Sequence, residues 1–309
     1  MRLSSVELRV RATEACERYR DCQLCAHRCR VDRTRGPAGK CSEGDSVYLA
    51  GAGVHFGEEP QLTGPGGSGL VLIAGCNLAC RACETAEFSL QRRGITEVDE
   101  AQLGALFLDL QRRGATNLNL VTPTHVLPAL LCGLARASEH GFSLPVVWNC
   151  GGYETREALL LLDGVVDIYL PDAKYGTAAA GLAYSGCADY PGALAESLAE
   201  MHRQVGVLAM GPDGLAQKGV LVRHLVLPGG VAGPREVMSL VAGISLDTWV
   251  NVMSQYRPLH EAAKLPVIDR VVSKDEVART VAAARDAGLH NLLVDGRSML
   301  CQGASQWSR

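Results

Sequence analysis

The sequence predicts an α/β protein: a partial (β/α)6 barrel of parallel strands carrying a small Cys-rich N-terminal extension. Three observations predict it. From residue 69 onward, short runs apolar on both faces alternate with amphipathic stretches of helical length. Several of those runs end in polar clusters. Residues 21–68, by contrast, are rich in Cys, Gly, Pro and Arg and follow neither period. The chain therefore divides into 1–68, a helix and Cys-rich metal-binding segment, and 69–309, the barrel.

Taken in order, residues 1–20 read as a short, highly charged amphipathic helix, and 21–68 as loops held by something other than a core. The strand runs are 69–75, 117–122, 145–149, 166–170, 220–227, 249–253 and 291–294. Their length and two-sided apolarity suit buried parallel strands. Between them, 97–113, 126–140, 154–162, 192–204, 234–242 and 274–287 carry helical spacing; Leu103, Leu106 and Leu110 share one face. Strand–helix repetition implies right-handed crossovers and a parallel sheet. An open doubly wound sheet is the alternative. The glycine-rich stretch 64–69 precedes the first strand instead of following it, so it does not match a dinucleotide fingerprint.

Composition narrows the function. The chain has 309 residues, 47% hydrophobic and 20% charged, enough for a sizeable core. A net charge of -3 lacks the basic stripe of a nucleic-acid binder. The apolar runs are too short to span a bilayer, and charges within the first ten residues leave no signal-peptide pattern, so a cytoplasmic protein is expected. Twelve cysteines in such a chain point to metal ligation sooner than to disulfides.

Two groups of cysteines stand out. Cys76, Cys80 and Cys83, spaced C-x3-C-x2-C, follow the first strand directly. In a parallel barrel the carboxyl ends of the strands carry the chemistry. Three thiolates in one loop suit a [4Fe–4S] cluster with one iron left open. Cys22, Cys25, Cys29 and Cys41 supply four thiolates, a closed sphere for a second [4Fe–4S] cluster or a structural zinc. Three close cysteines with a remote fourth lean toward the cluster, and His27 could replace one of them. The later strand ends bring Thr122, Thr124, His125, Asn149, Asp172, Lys174, Arg223 and Asn251 toward the same mouth. Asp172 and Lys174, two apart, would face one side and could pair.

Cys76, Cys80 and Cys83 match the signature of the radical S-adenosylmethionine (SAM) superfamily. Segments 55–60, 121–125, 167–172, 223–228 and 251–256 resemble the branch related to the pyruvate formate-lyase activating enzyme. The resemblance implies a cluster whose open iron chelates SAM and a flavodoxin or ferredoxin as electron donor. It also implies a 5'-deoxyadenosyl radical that takes a hydrogen atom from the substrate. On that resemblance Thr122, Thr124 and His125 hold the ammonium group, and Asn149, Asp172, Lys174, Arg223 and Asn251 line the SAM pocket. Ala82 stands where many relatives carry an aromatic residue, and Glu84-Thr85 where the branch usually has Gln-Asn.

The expected substrate is a small molecule, a sugar or natural product, with epimerisation as one outcome. An epimerase needs a thiol hydrogen donor, for which Cys187 is the first candidate, Cys150 the second and Cys301 the third. The alternatives are an activating enzyme acting on a glycyl-radical protein, and a metal-dependent sensor or interaction protein without turnover.

Overall fold

The computed structural model describes residues 3–298. In chain order the elements are α1 (Ser5–Glu17), β1 (Val47–His55), α2 (Pro60–Thr63), β2 (Ser68–Ile73), α3 (Ala86–Ser89), β3 (Thr96–Val98) and α4 (Glu100–Arg112). They continue with β4 (Leu118–Val121), α5 (Leu127–Ser138), β5 (Val146–Cys150), α6 (Arg156–Leu160), β6 (Ile168–Pro171), α7 (Ala178–Ser185) and α8 (Tyr190–Val205). The last are β7 (Ala209–Met210), β8 (Ala216–Leu225), α9 (Pro234–Ile244), β9 (Trp249–Met253), α10 (Lys274–Asp286), β10 (Asn291–Val294) and β11 (Arg297–Ser298).

Local chemistry sets the helix starts. Capping boxes open α1 at Ser4, α4 at Asp99 and α10 at Ser273, each pairing a side-chain oxygen with a backbone amide one turn on. The Asp99 cap explains why α4 begins after residue 97: Thr96–Val98 is instead a strand paired with β1.

Strands β2, β4, β5, β6, β8, β9 and β10 are parallel and lie side by side in chain order. A doubly wound sheet would reverse that order at a switch point. Antiparallel β1 and β3 extend the β2 edge, and β11 the β10 edge. The 21–68 stretch is therefore not wholly loop. Residues 47–67 belong to the body of the sheet, and the expected boundary at 68 falls inside it. In β1, two glycines and two alanines hide the strand period. Helix α7, an alanine-rich run, likewise lacked an amphipathic signal.

Strand alternation produces two cores. Val71, Ile73, Leu118, Leu120, Trp148, Val220, Val222, Val250 and Val252 face the helices. Leu62, Val147, Ile168, Leu170, Leu221 and Leu293 form a second cluster on the opposite face. Helix α2 lies inside that second face. Its Leu62 carbonyl accepts from Asn117 Nδ2 (2.7 Å) and its Thr63 carbonyl from Thr116 Oγ1 (2.9 Å), both just before β4. Its first residue, Pro60, abuts Gly296 in the turn after β10. Five strand steps separate β4 from β10, about 24 Å in a flat sheet. Four helical residues span only about 6 Å. The sheet therefore curls around α2.

Candidate functional site

The loop after β2 is forced by its neighbours. At Gly75 (φ +85°) a Cβ would lie 2.6 Å from Glu43 Oε1 and 2.7 Å from His125 Nε2, so only glycine fits there. Ala79 also takes a left-handed conformation (φ +50°). This bent loop sets Cys76, Cys80 and Cys83 near one another. Each sulfur meets a donor. The Leu78 amide points at Cys76 Sγ (3.4 Å), and Ser185 Oγ donates to Cys80 Sγ (3.1 Å). The hydroxyls of Thr85 and Ser89 lie 3.3 and 3.5 Å from Cys83 Sγ. Burial, with the neighbouring Cys80 and Cys83, pushes the Cys76 thiol up to about 12. A positive partner or metal is what would ionise it.

The inner face of the curled sheet carries a polar row. Asn149 shares its register with Leu170, while Asp172, Arg223, Asn251 and Leu293 lie in register with one another, all facing inward. Lys174 Nζ donates to Asp172 Oδ2 at 2.7 Å, the pairing their spacing anticipated. The Lys174 ammonium is held well above its ordinary value: burial opposes the charge, and Asp172 and the Cys80 sulfur outweigh burial. Arg223 is engaged by Glu58 and Glu59; its Nε donates to Glu59 Oε1 at 2.8 Å, which also accepts from Asn251 Nδ2 at 2.7 Å. Burial would raise the Glu59 carboxyl, but Arg223 and Asn251 outweigh it and hold it low.

Several expected site residues lie elsewhere. Thr124 Oγ1 donates to Glu154 Oε1 (2.7 Å), and His125 Nε2 bonds the Ala74 carbonyl (2.8 Å), so neither side chain joins the inner row. Burial depresses His125 to about 4, so it is neutral. Thr122 remains partly exposed at the end of β4, with its amide on the Asn149 carbonyl. Cys150 follows Asn149 along the strand and therefore faces outward, in the helix-side core. Cys187 is 2% exposed; its thiol donates to the Ser185 carbonyl (3.2 Å) and packs near His27. Cys150 thus sits on the helix side of the sheet, while Cys187 lies near Cys80 and, through His27, beside the three-cysteine loop. Cys301 lies outside the described residues.

The four-cysteine segment docks on the carboxyl-end loops of β4 and β5. The Ala26 amide donates to Tyr153, Thr155 Oγ1 to Gln23, and Cys25 bridges to Glu154. His27 Nε2 reaches the Asn77 carbonyl inside the three-cysteine loop (2.8 Å). Cys22, Cys25, Cys29 and Cys41 all line one small cavity of about 20 Å³, together with Arg33 and His125. Among the described residues, no three His, Cys, Asp or Glu side chains converge tightly enough to hold one metal ion.

Arg33 is the residue that sequence reasoning missed. It is 1% exposed, lies over the Tyr19 ring and donates to the carbonyls of Glu43, Gly44 and His125. Its remaining neighbour is Cys22 Sγ, 3.7 Å from Nη1. Burial works against its charge; the Cys41 and Cys22 sulfurs and Tyr19 offset that, and the guanidinium stays above its ordinary value. Nothing marked it among the surrounding arginines. Glu58-Glu59-Pro60, an acid pair ahead of a proline, was the available signal for the inner network.

No family model matches the chain. An uncharacterized protein, MJ0674, of Methanocaldococcus jannaschii is 29% identical over 279 residues, covering 88% of this chain and 76% of that protein. Among the described residues, no helix is long and apolar enough to cross a membrane.

Proposed function

We propose that the protein is a radical SAM enzyme, its curled parallel sheet a partial radical SAM barrel. One observation carries the reading: a C-x3-C-x2-C loop, every sulfur near a donor, leaves the first parallel strand of a singly wound sheet. Cys76, Cys80 and Cys83 would hold a [4Fe–4S] cluster, and Cys22, Cys25, Cys29 and Cys41 a second cluster. Three close cysteines with a remote fourth, where a zinc ribbon favours two C-x2-C pairs, support a polynuclear group over a single zinc. When bound with SAM and reduced by a flavodoxin or ferredoxin, the first cluster supplies homolytic cleavage to methionine and a hydrogen-abstracting 5'-deoxyadenosyl radical.

The chain's own residues bind and orient. Ser185 and the Leu78 amide point donors at the sulfurs of Cys80 and Cys76 and hold them in place. Lys174 offers a cation to a carboxylate, Asp172 an acceptor to an ammonium or ribose hydroxyl, and Asn149 an amide. Arg223, Glu58, Glu59 and Asn251 brace the interior and leave ligand contacts to their neighbours. The docked N-terminal segment occupies one flank of the three-cysteine loop, which favours a small-molecule substrate over a protein loop. Cys150 faces the helix-side core, so Cys187, beside the three-cysteine loop, remains the candidate hydrogen donor for an epimerisation.

The test is anaerobic reconstitution followed by reduction with SAM present. The wild type should release 5'-deoxyadenosine and methionine. The Cys76→Ala, Cys80→Ala, Cys83→Ala triple variant should release neither while keeping about four irons per chain at the N-terminal site. A fully loaded wild type whose EPR signal ignores SAM and which yields no 5'-deoxyadenosine overturns the reading. A glycyl-radical doublet on a partner protein would reassign the substrate class.

A further inference from the structure

Cys16 and Cys132 are 116 positions apart in the chain, yet their Sγ atoms stand 3.5 Å apart. Cys16 is at the C-terminal end of α1 and Cys132 is inside α5, where the two helices pack together. Both are free thiols, both are partly exposed, and neither belongs to either cysteine cluster. A disulfide bond is about 2.05 Å long, so closure asks for a relative shift of only about 1.5 Å.

We propose that Cys16 and Cys132 form a redox-active dithiol, oxidised to an intramolecular bridge by a low-molecular-weight disulfide. The Cys16 thiolate attacks one sulfur of the oxidant, here oxidised glutathione, and expels one glutathione thiolate. Cys132 then loses its proton, attacks the Cys16 sulfur and expels the second. Two protein thiols are oxidised and one disulfide is reduced to two thiols.

The surroundings fit the order of attack. The hydrogen bond from Cys132 lowers the Cys16 thiol below its ordinary value, although burial and the Glu100, Glu17 and Asp45 carboxylates oppose it. The same hydrogen bond, burial and Glu100 raise Cys132, which marks it as the resolving thiol. The proton of Cys132 passes to solvent and on to the departing glutathione thiolate.

The bridge would tie α1 covalently to α5. Cys22 follows Cys16 by six residues, and His125, which lines the four-cysteine cavity, precedes α5 by two. Oxidation would thus pin the N-terminal segment to the sheet. The proposal does not depend on which metal either cluster holds.

The experiment uses the metal-loaded full chain, incubated anaerobically with oxidised or reduced glutathione, alkylated and mapped without reduction. A Cys16–Cys132 linked peptide pair is expected with the oxidised form alone. Cys132→Ser should instead accumulate a Cys16–glutathione adduct, and Cys16→Ser should show neither product. Limited proteolysis should release the N-terminal segment several-fold more slowly from oxidised wild type than from oxidised Cys16→Ser. The proposal fails if oxidised wild type, which requires no variant to fold, shows Cys132 fully alkylated or links only among the cluster cysteines.

Discussion

Two arginines leave solvent in this protein and are neutralised in opposite ways. Arg223, inside the curled sheet, meets the carboxylates of Glu58 and Glu59. Arg33, outside the sheet, has carbonyls and cysteine sulfurs as its partners, and among the described residues no carboxylate pairs with it. A buried cation costs several kcal/mol unless an anion or a full set of acceptors answers it. At Arg223 the fold supplies the anions. At Arg33 the nearest sulfurs are those of Cys22 and Cys41, which would be anionic as metal-bound thiolates. On the proposed reading, the interior site is built by folding and the N-terminal site would be completed by loading.

The sharpest way to break that contrast is Glu59→Gln. Removing one partner of a buried pair leaves Arg223 under-compensated, and a loss of about 3 kcal/mol in denaturant unfolding is expected, the same with and without metal. Its pH dependence follows from a folded-state carboxyl held below the unfolded value. The Glu59 contribution is fully present above about pH 4.3 and lost as pH falls through the lower folded value. The gap between wild type and variant should therefore close on acidification below about pH 4. A gap constant with pH would remove Glu59 from the pair.

Next in size is Arg33→Met. In the loaded protein a loss of about 2 kcal/mol and reduced metal retention at the four-cysteine site are expected. In the metal-free protein a smaller loss is expected, because the variant gives up the carbonyl hydrogen bonds but no thiolate attraction. Equal losses in both states, measured by melting with and without a chelator, would show that Arg33 serves the carbonyls alone.

The smallest effect belongs to Ser185→Ala, which removes the hydroxyl donor from Cys80. Stability should fall by less than about 1 kcal/mol. The reduction potential of the loaded three-cysteine site should fall, since a hydrogen bond to sulfur favours the more negative, reduced state. A potential unchanged in a redox titration would assign Ser185 to Tyr175, its other partner at 2.9 Å.

Much of the fold was legible in the chain. Strands 249–253 and 291–294 match β9 and β10 end to end, because apolar runs there stop abruptly at polar residues. Strand β1 was not, since its glycines and alanines carry no alternation. The three-cysteine loop was legible because its ligands are neighbours in sequence. The partners of Thr124 and His125, Glu154 and the Ala74 carbonyl, were not legible, because one turn of backbone after β4 decides which face a side chain takes.

The sequence by itself determined the parallel strand–helix repeat and the two cysteine spacings, since both are local patterns of hydrophobicity and distance along the chain. Only the tertiary structure decided that Arg33 meets carbonyls and cysteine sulfurs and, among the described residues, no carboxylate, that Glu59 braces Arg223 from 164 residues away, and that Cys16 meets Cys132. Such contacts depend on how the sheet curls and how its helices dock. Those are set by packing summed over the whole molecule, which no local pattern of residues records.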